Sequence, residues 1–113
     1  MFIRKTWVLS DSNQNKINQG YNNTINVVNK LKQVRGYNIT VINDGPSMYD
    51  ALSKGYSVMK SDKRHQNNLG GYLAASCIYS TMFDKDPTKI NYIPSNLNLN
   101  DVKIMRSIAK NYC

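Results

Sequence analysis

Ser61-Asp62-Lys63-Arg64-His65-Gln66-Asn67-Asn68-Leu69-Gly70-Gly71-Tyr72-Leu73-Ala74-Ala75 holds the chain's single histidine, three residues after an aspartate and just before a stretch that reads as a helix. On a tight turn, an Asp-x-x-His step lets the carboxylate accept a hydrogen bond from one imidazole nitrogen. That fixes the tautomer and leaves the other nitrogen to act as a general base. Asp62 and His65 are therefore the candidate catalytic residues, two members of a Ser-His-Asp site. The plainer reading is a solvated histidine in a polar loop between Lys63-Arg64 and Gln66. Asn67 or Asn68 can cap a helix running to about Phe83, with Leu69, Tyr72, Leu73, Ser76, Cys77 and Ser80 on neighbouring turns. Gly70, Gly71, Ala74 and Ala75 are small enough for that helix to pack closely against a sheet.

Upstream, Asn38-Ile39-Thr40-Val41-Ile42-Asn43 is a short apolar strand. Residues 2–8, Phe2-Ile3-Arg4-Lys5-Thr6-Trp7-Val8, are rich in β-formers and form a second one. Between them, from about Gln14 to Val34, Ile17, Tyr21, Ile25, Val28 and Leu31 recur every three or four residues, which marks an amphipathic helix. Ser10-Asp11-Ser12-Asn13 break the first strand and offer N-caps. Lys30, Lys32 and Arg35 suit the dipole at the helix C-terminus, and Gly36 suits its cap. Strand, helix and strand in this order predict a βαβ crossover and a parallel sheet. Asp44-Gly45-Pro46-Ser47 turns the chain, with Pro46 near the first position of a short helix to about Lys54. Residues 55–66 then form the loop of Asp62 and His65, on the side beyond the strands' carboxyl ends where ligands gather in open α/β sheets.

Downstream, Asp84 to Asn98 is polar and irregular, with Pro87 and Pro94. A last helix from about Leu99 to Asn111, capped by Asn98 or Asn100, places Val102, Met105 and Ile108-Ala109 on one face. Cys77 and Cys113 make no metal spacing and no disulfide framework, so both read as free thiols, with Cys77 buried. One histidine and two distant cysteines cannot close a zinc site, and there is no Gly-rich phosphate loop, so neither metal nor cofactor is expected. Asn22-Asn23-Thr24 and Asn38-Ile39-Thr40 match the N-glycosylation pattern, which matters only in a eukaryotic secretory setting.

The 113 residues allow one domain with a modest core. Hydrophobic residues at 41% and charged residues at 19% suit a soluble globular protein. No apolar run reaches the ~20 residues needed to span a membrane, and Met1 to Lys5 lack the apolar core of a secretory signal, so no membrane association is expected and the compartment stays unassigned. Fifteen Lys and Arg against seven Asp and no Glu give a net charge of +8. The basic residues are scattered, from Arg4-Lys5 through Lys63-Arg64 to Lys110, and most tyrosines fall at helix-core spacings. A solvated basic surface is favoured over a nucleic-acid site. Abundant Asn, Lys, Ile and Tyr suit an AT-rich genome, such as that of a phage, a large virus or a low-GC bacterium.

Asp62-x-x-His65 followed by Gly70-Gly71-Tyr72-Leu73-Ala74-Ala75 resembles the last conserved block of the SGNH/GDSL-type serine esterases. Tyr79, Phe83, Pro87, Tyr92-Ile93-Pro94, Asp101 and Ile108-Ala109 resemble the way a Bacteroidales-type branch of that superfamily ends. Upstream, Thr6-Trp7, Ile17-Asn18-Gln19-Gly20-Tyr21 and the run Ile39 to Ile42 fit the preceding strand, helix and strand. The resemblance implies an α/β protein with part of the three-layer, flavodoxin-like SGNH fold, a short parallel sheet flanked by helices. On that reading residues 1–113 are one incomplete domain, the C-terminal portion of the family's.

It further implies an ester hydrolase of the acetylesterase or carbohydrate-esterase kind. This chain would give the His65 base and its Asp62, and a second chain or oligomer would cover the missing half. The family's Gly-Asp-Ser turn is absent. Ser10-Asp11-Ser12 and Ile42-Asn43-Asp44 mimic the nucleophile and oxyanion blocks, so a compressed site with Ser12 and Asn43 is conceivable. Too little chain separates Ser12 from Asp62 for it, and Ser10 to Ser12 read instead as cap and turn. Two other classes stay open. One is an inactive structural or carbohydrate-binding component, for example of a virion; the other, weaker, is a small basic nucleic-acid-binding protein.

Overall fold

The computed structural model describes residues 1–5, 14–62 and 65–113, with residues 14–17 described for their backbone alone. Thr6, Trp7, Val8, the Ser10 to Asn13 caps, Lys63 and Arg64 lie outside the described residues. Strand β1 (Phe2–Arg4) pairs in parallel with β2 (Thr40–Ile42), and Phe2, Ile3 and Arg4 stand opposite Thr40, Val41 and Ile42. The Thr40 N–H donates to the Met1 carbonyl at 2.9 Å and the Lys5 N–H to the Ile42 carbonyl at 2.7 Å, extending the ladder at both ends. Helix α1 (Gln14–Arg35) makes the crossover between them. Gly36, at φ +65°, ends it with its N–H on the Lys32 carbonyl. Strand β2 covers Thr40–Ile42 of the expected run from Asn38 to Asn43.

Helix α2 (Asp44–Ser53) begins two residues earlier than Pro46 suggests. The cause is Asp44, whose side chain is fully buried and receives Arg4 Nε at 2.8 Å as well as Arg4 Nη2. A carboxylate in the first turn is favoured by the exposed N–H groups of a helix N-terminus, and the arginine supplies the countercharge that burial requires. The Gly45 N–H adds a bond to the Lys5 carbonyl at 2.9 Å, fixing α2 to the end of β1.

Helices α3 (Asn68–Phe83) and α4 (Leu99–Tyr112) pack on each other and on α2, with a single 3-10 turn, Pro87–Lys89, in the connection. The core gathers Ile42 from the sheet, Met48 and Ala51 from α2, Val58 from the loop, Leu69 and Leu73 from α3, and Met105 and Ile108 from α4. The α4 stripe 102, 105, 108–109 is buried as its spacing predicts, and Arg106 is buried beside it. Tyrosines depart from the core expectation. None is fully buried, and Tyr37, Tyr79, Tyr92 and Tyr112 are exposed.

The cysteines also depart from expectation. Cys77 and Cys113 form a disulfide across a Cα–Cα distance of 5.1 Å, and no described cysteine is free. They are 36 residues apart in sequence. The packing of α3 on α4 brings the chain end back onto the middle of α3, a tertiary fact that cysteine spacing does not carry. Among the described residues no helix is long and apolar enough to cross a membrane.

Candidate functional site

The loop between α2 and α3 is built from both ends. At its start, Gly55 at φ +88° ends α2, and the Tyr56 N–H returns to the Ala51 carbonyl at 3.0 Å. Val58 is then fully buried, and Met59 bridges Gln66 in antiparallel fashion. The Lys60 N–H donates to the His65 carbonyl at 2.7 Å and the Asn67 N–H to the Val58 carbonyl at 3.0 Å. The expected loop is thus a narrow reversal whose two limbs hold each other through these bonds, with Asp62 and His65 towards its tip.

Asn67 fixes the base of the reversal. Its Oδ1 accepts the Gly70 N–H at 3.0 Å, capping α3, while its Nδ2 donates to the Ser57 carbonyl at 2.8 Å. Gly70 allows the helix to sit there: a Cβ on it would stand 2.0 Å from the Val58 carbonyl oxygen. Of the small residues, Gly70 thus makes its close approach to the loop that carries the histidine, while α3 also packs on β2.

At the tip, Asp62 Oδ2 lies 2.7 Å from His65 Nδ1, and Asp62 Oδ1 accepts the His65 backbone N–H at 3.1 Å. One carboxylate thus holds both the ring and the backbone of the same histidine. In the tautomer that donates from Nδ1 to this carboxylate, Nε2 is the ring nitrogen that carries the lone pair. The His65 side chain is 71% exposed and that of Asp62 43%. The pair can therefore accept a proton from a group brought to Nε2 and return it. The pair holds no hydroxyl or thiol, so an acyl-serine route needs a nucleophile from elsewhere.

Ser12 lies outside the described residues. Asn43 is otherwise engaged: its Nδ2 donates to the Tyr112 carbonyl at 3.1 Å, tying α2 to the last turn of α4. Among the described residues no three His, Cys, Asp or Glu side chains converge in a way that could hold a metal ion.

The chain shares its fold with a DUF4886 family protein from Bacteroides uniformis. The superposition has a TM-score of 0.74 at 19% identity and covers 97% of this chain but 46% of that protein. At that identity the likeness concerns the fold alone, and the chain spans less than half the length of the neighbour. No protein-family model and no curated protein matches it.

A second polar construction, not expected from the sequence, joins α3, α4 and the segment between them. Arg106 Nε donates to the Tyr72 hydroxyl at 2.8 Å and Nη2 to the Tyr92 carbonyl at 3.0 Å, while the Tyr72 hydroxyl donates to the same carbonyl at 3.1 Å. Position 106 falls within the buried 102–105–109 stripe of α4, so the spacing alone could have placed the guanidinium inside. Asp86 anchors the same segment. It accepts the Thr88 N–H at 2.9 Å, the Thr88 hydroxyl at 2.6 Å and Lys110 Nζ at 2.9 Å. These bonds to the charged form pull its carboxyl down to about 2, the Thr88 hydroxyl contributing most. Burial raises the Tyr21 hydroxyl well above its ordinary value, with the nearby Tyr49 and Asp44 adding to the rise.

Proposed function

We propose that this chain is the C-terminal portion of an SGNH-type ester hydrolase, with the flavodoxin-like arrangement of that superfamily. It contributes the His65 base and the Asp62 that orients it. The observation that carries the reading is the doubly held histidine: one carboxylate bonded to Nδ1 and to the backbone N–H, on a braced loop immediately before a Gly-Gly helix start. The reading assigns the serine and the oxyanion donors to a part outside residues 1–113, on a second chain or in further sequence.

In the assembled site, His65 Nε2 takes the proton of the serine hydroxyl as its oxygen attacks the ester carbonyl. His65 then gives that proton to the departing alcohol oxygen. A water molecule repeats the cycle on the acyl-serine, with His65 again as base and the carboxylic acid and free serine as products. Asp62 remains ionised throughout and stabilises the imidazolium. Acetylated carbohydrate is the substrate class that the resemblance favours.

His65→Ala in the assembled hydrolase lowers ester turnover by ~10²–10⁴-fold, the usual contribution of a positioned base. Because the side chain is exposed, assembly measured by size-exclusion chromatography is unchanged. Equal turnover in wild type and variant removes His65 from the mechanism. Absence of turnover in an intact wild-type assembly favours an inactive structural or carbohydrate-binding component.

A further inference from the structure

A groove of about 520 Å³ runs along the outer face of α3, between that helix and the segment 89–92. Tyr72, Ser76 and Tyr79 stand along one wall at helical spacing, and Lys89, Asn91 and Tyr92 form the other. At 1.5 Å of rise per residue the helical wall from Tyr72 to Tyr79 extends about 10 Å. The volume lies in the range of small-ligand sites, and an apolar, aromatic lining with a few placed polar groups is their usual composition.

Three observations say what would fit. First, the groove is aromatic where it is open: Tyr92 is 71% exposed and Tyr79 37%, the latter with the Phe83 ring beside it at 5.7 Å. A pyranose ring has a face of C–H groups that matches such a ring and a rim of hydroxyls that matches the Asn91 amide. Second, the shape is braced from behind, since Arg106 holds both the Tyr72 hydroxyl and the Tyr92 carbonyl.

Third, the groove is positive. No acidic residue lines it, and the exposed Lys89 ammonium stands on its rim. Arg106, a residue only 7% exposed, lies behind it with no carboxylate in ion-pair contact among the described residues. The chain's net charge of +8 works in the same direction.

We propose that this groove binds an acidic glycan, a chain of sugars bearing carboxylates, with Tyr79 and Tyr92 against the sugar faces and Lys89 on a carboxylate. Binding there does not depend on Asp62 and His65 and holds whether or not the chain takes part in ester hydrolysis.

The test is an NMR titration of the ¹⁵N-labelled chain with an oligogalacturonide, compared with a neutral cello-oligosaccharide of equal length and with inorganic polyphosphate. The expected result is saturable shifts centred on the amides of residues 72–79 and 89–92 with the oligogalacturonide. Affinity falls about tenfold in Lys89→Ala and in Tyr92→Ala and is unchanged in His65→Ala. Both substituted residues are exposed, so the variants keep the fold, which the unshifted remainder of the spectrum verifies. The proposal is overturned by no saturable shift, by shifts spread over the basic surface, or by equal affinity for the neutral sugar. Equal affinity for polyphosphate at the same residues also overturns it, as does self-association of the chain through this face in place of sugar binding.

Discussion

Gly70 and Gly71 are neighbours of identical type with different duties. A methyl group on Gly70 would meet the Val58 carbonyl oxygen at 2.0 Å, which is backbone and cannot swing aside. On Gly71 it would meet only the Gln66 side chain at 3.8 Å, an ordinary contact. Gly70→Ala therefore destabilises the chain by ~1–3 kcal/mol, the usual cost of overpacking, and displaces the His65 loop. Gly71→Ala changes stability little or raises it by up to ~1 kcal/mol through helix propensity. Urea denaturation of the two variants checks this, and matching midpoints would show that Gly70 is not the contact point. The Asp62–His65 pair was legible because it is local: a spacing of three on a turn determines which atoms can meet. Which of the two glycines is indispensable was not legible, since that depends on where Val58, twelve residues earlier, lies in space.

Among the elements, helix α3, helix α4 and the parallel pairing of β1 with β2 follow from periodicity, capping asparagines and the order strand, helix, strand. The segment between α3 and α4 does not, because its order comes from side chains rather than from a repeating backbone pattern. Asp86 shows this: it caps the 3-10 turn and reaches Lys110 on α4. Its folded carboxyl is depressed to about 2 from an ordinary 3.8. The tie therefore stabilises the fold fully above about pH 4 and is lost as pH falls from there towards 2. Thermal midpoints measured across that window fall more steeply for wild type than for Asp86→Asn. Parallel profiles would show that the bonds to Thr88 and Lys110 do not persist in solution.

For the molecule as a whole, one cross-link closes the helical layer. The Cys77–Cys113 bridge joins the middle of α3 to the chain's last residue across a separation of 36. Loop closure of that size stabilises a fold by ~3–4 kcal/mol on the chain-entropy account. Cys113→Ser lowers stability by about that amount, and reductant lowers wild type to the variant's level while leaving the variant unmoved. Equal stability of wild type with and without reductant would contradict a formed bridge. Read as isolated residues, the two cysteines gave no sign of it, because the pairing is a consequence of α3 packing on α4.

At this scale the central claim is that residues 1–113 hold the base and its orienting acid while the nucleophile lies outside them. The most direct measurement is covalent labelling by a fluorophosphonate probe, which captures activated serines. It is applied to the protein with the companions it carries from its native source, as wild type and as His65→Ala. A labelled serine outside residues 1–113 is expected in wild type, and its loss in the variant. No labelling in wild type, labelling that survives His65→Ala, or labelling at Ser12 would each contradict it.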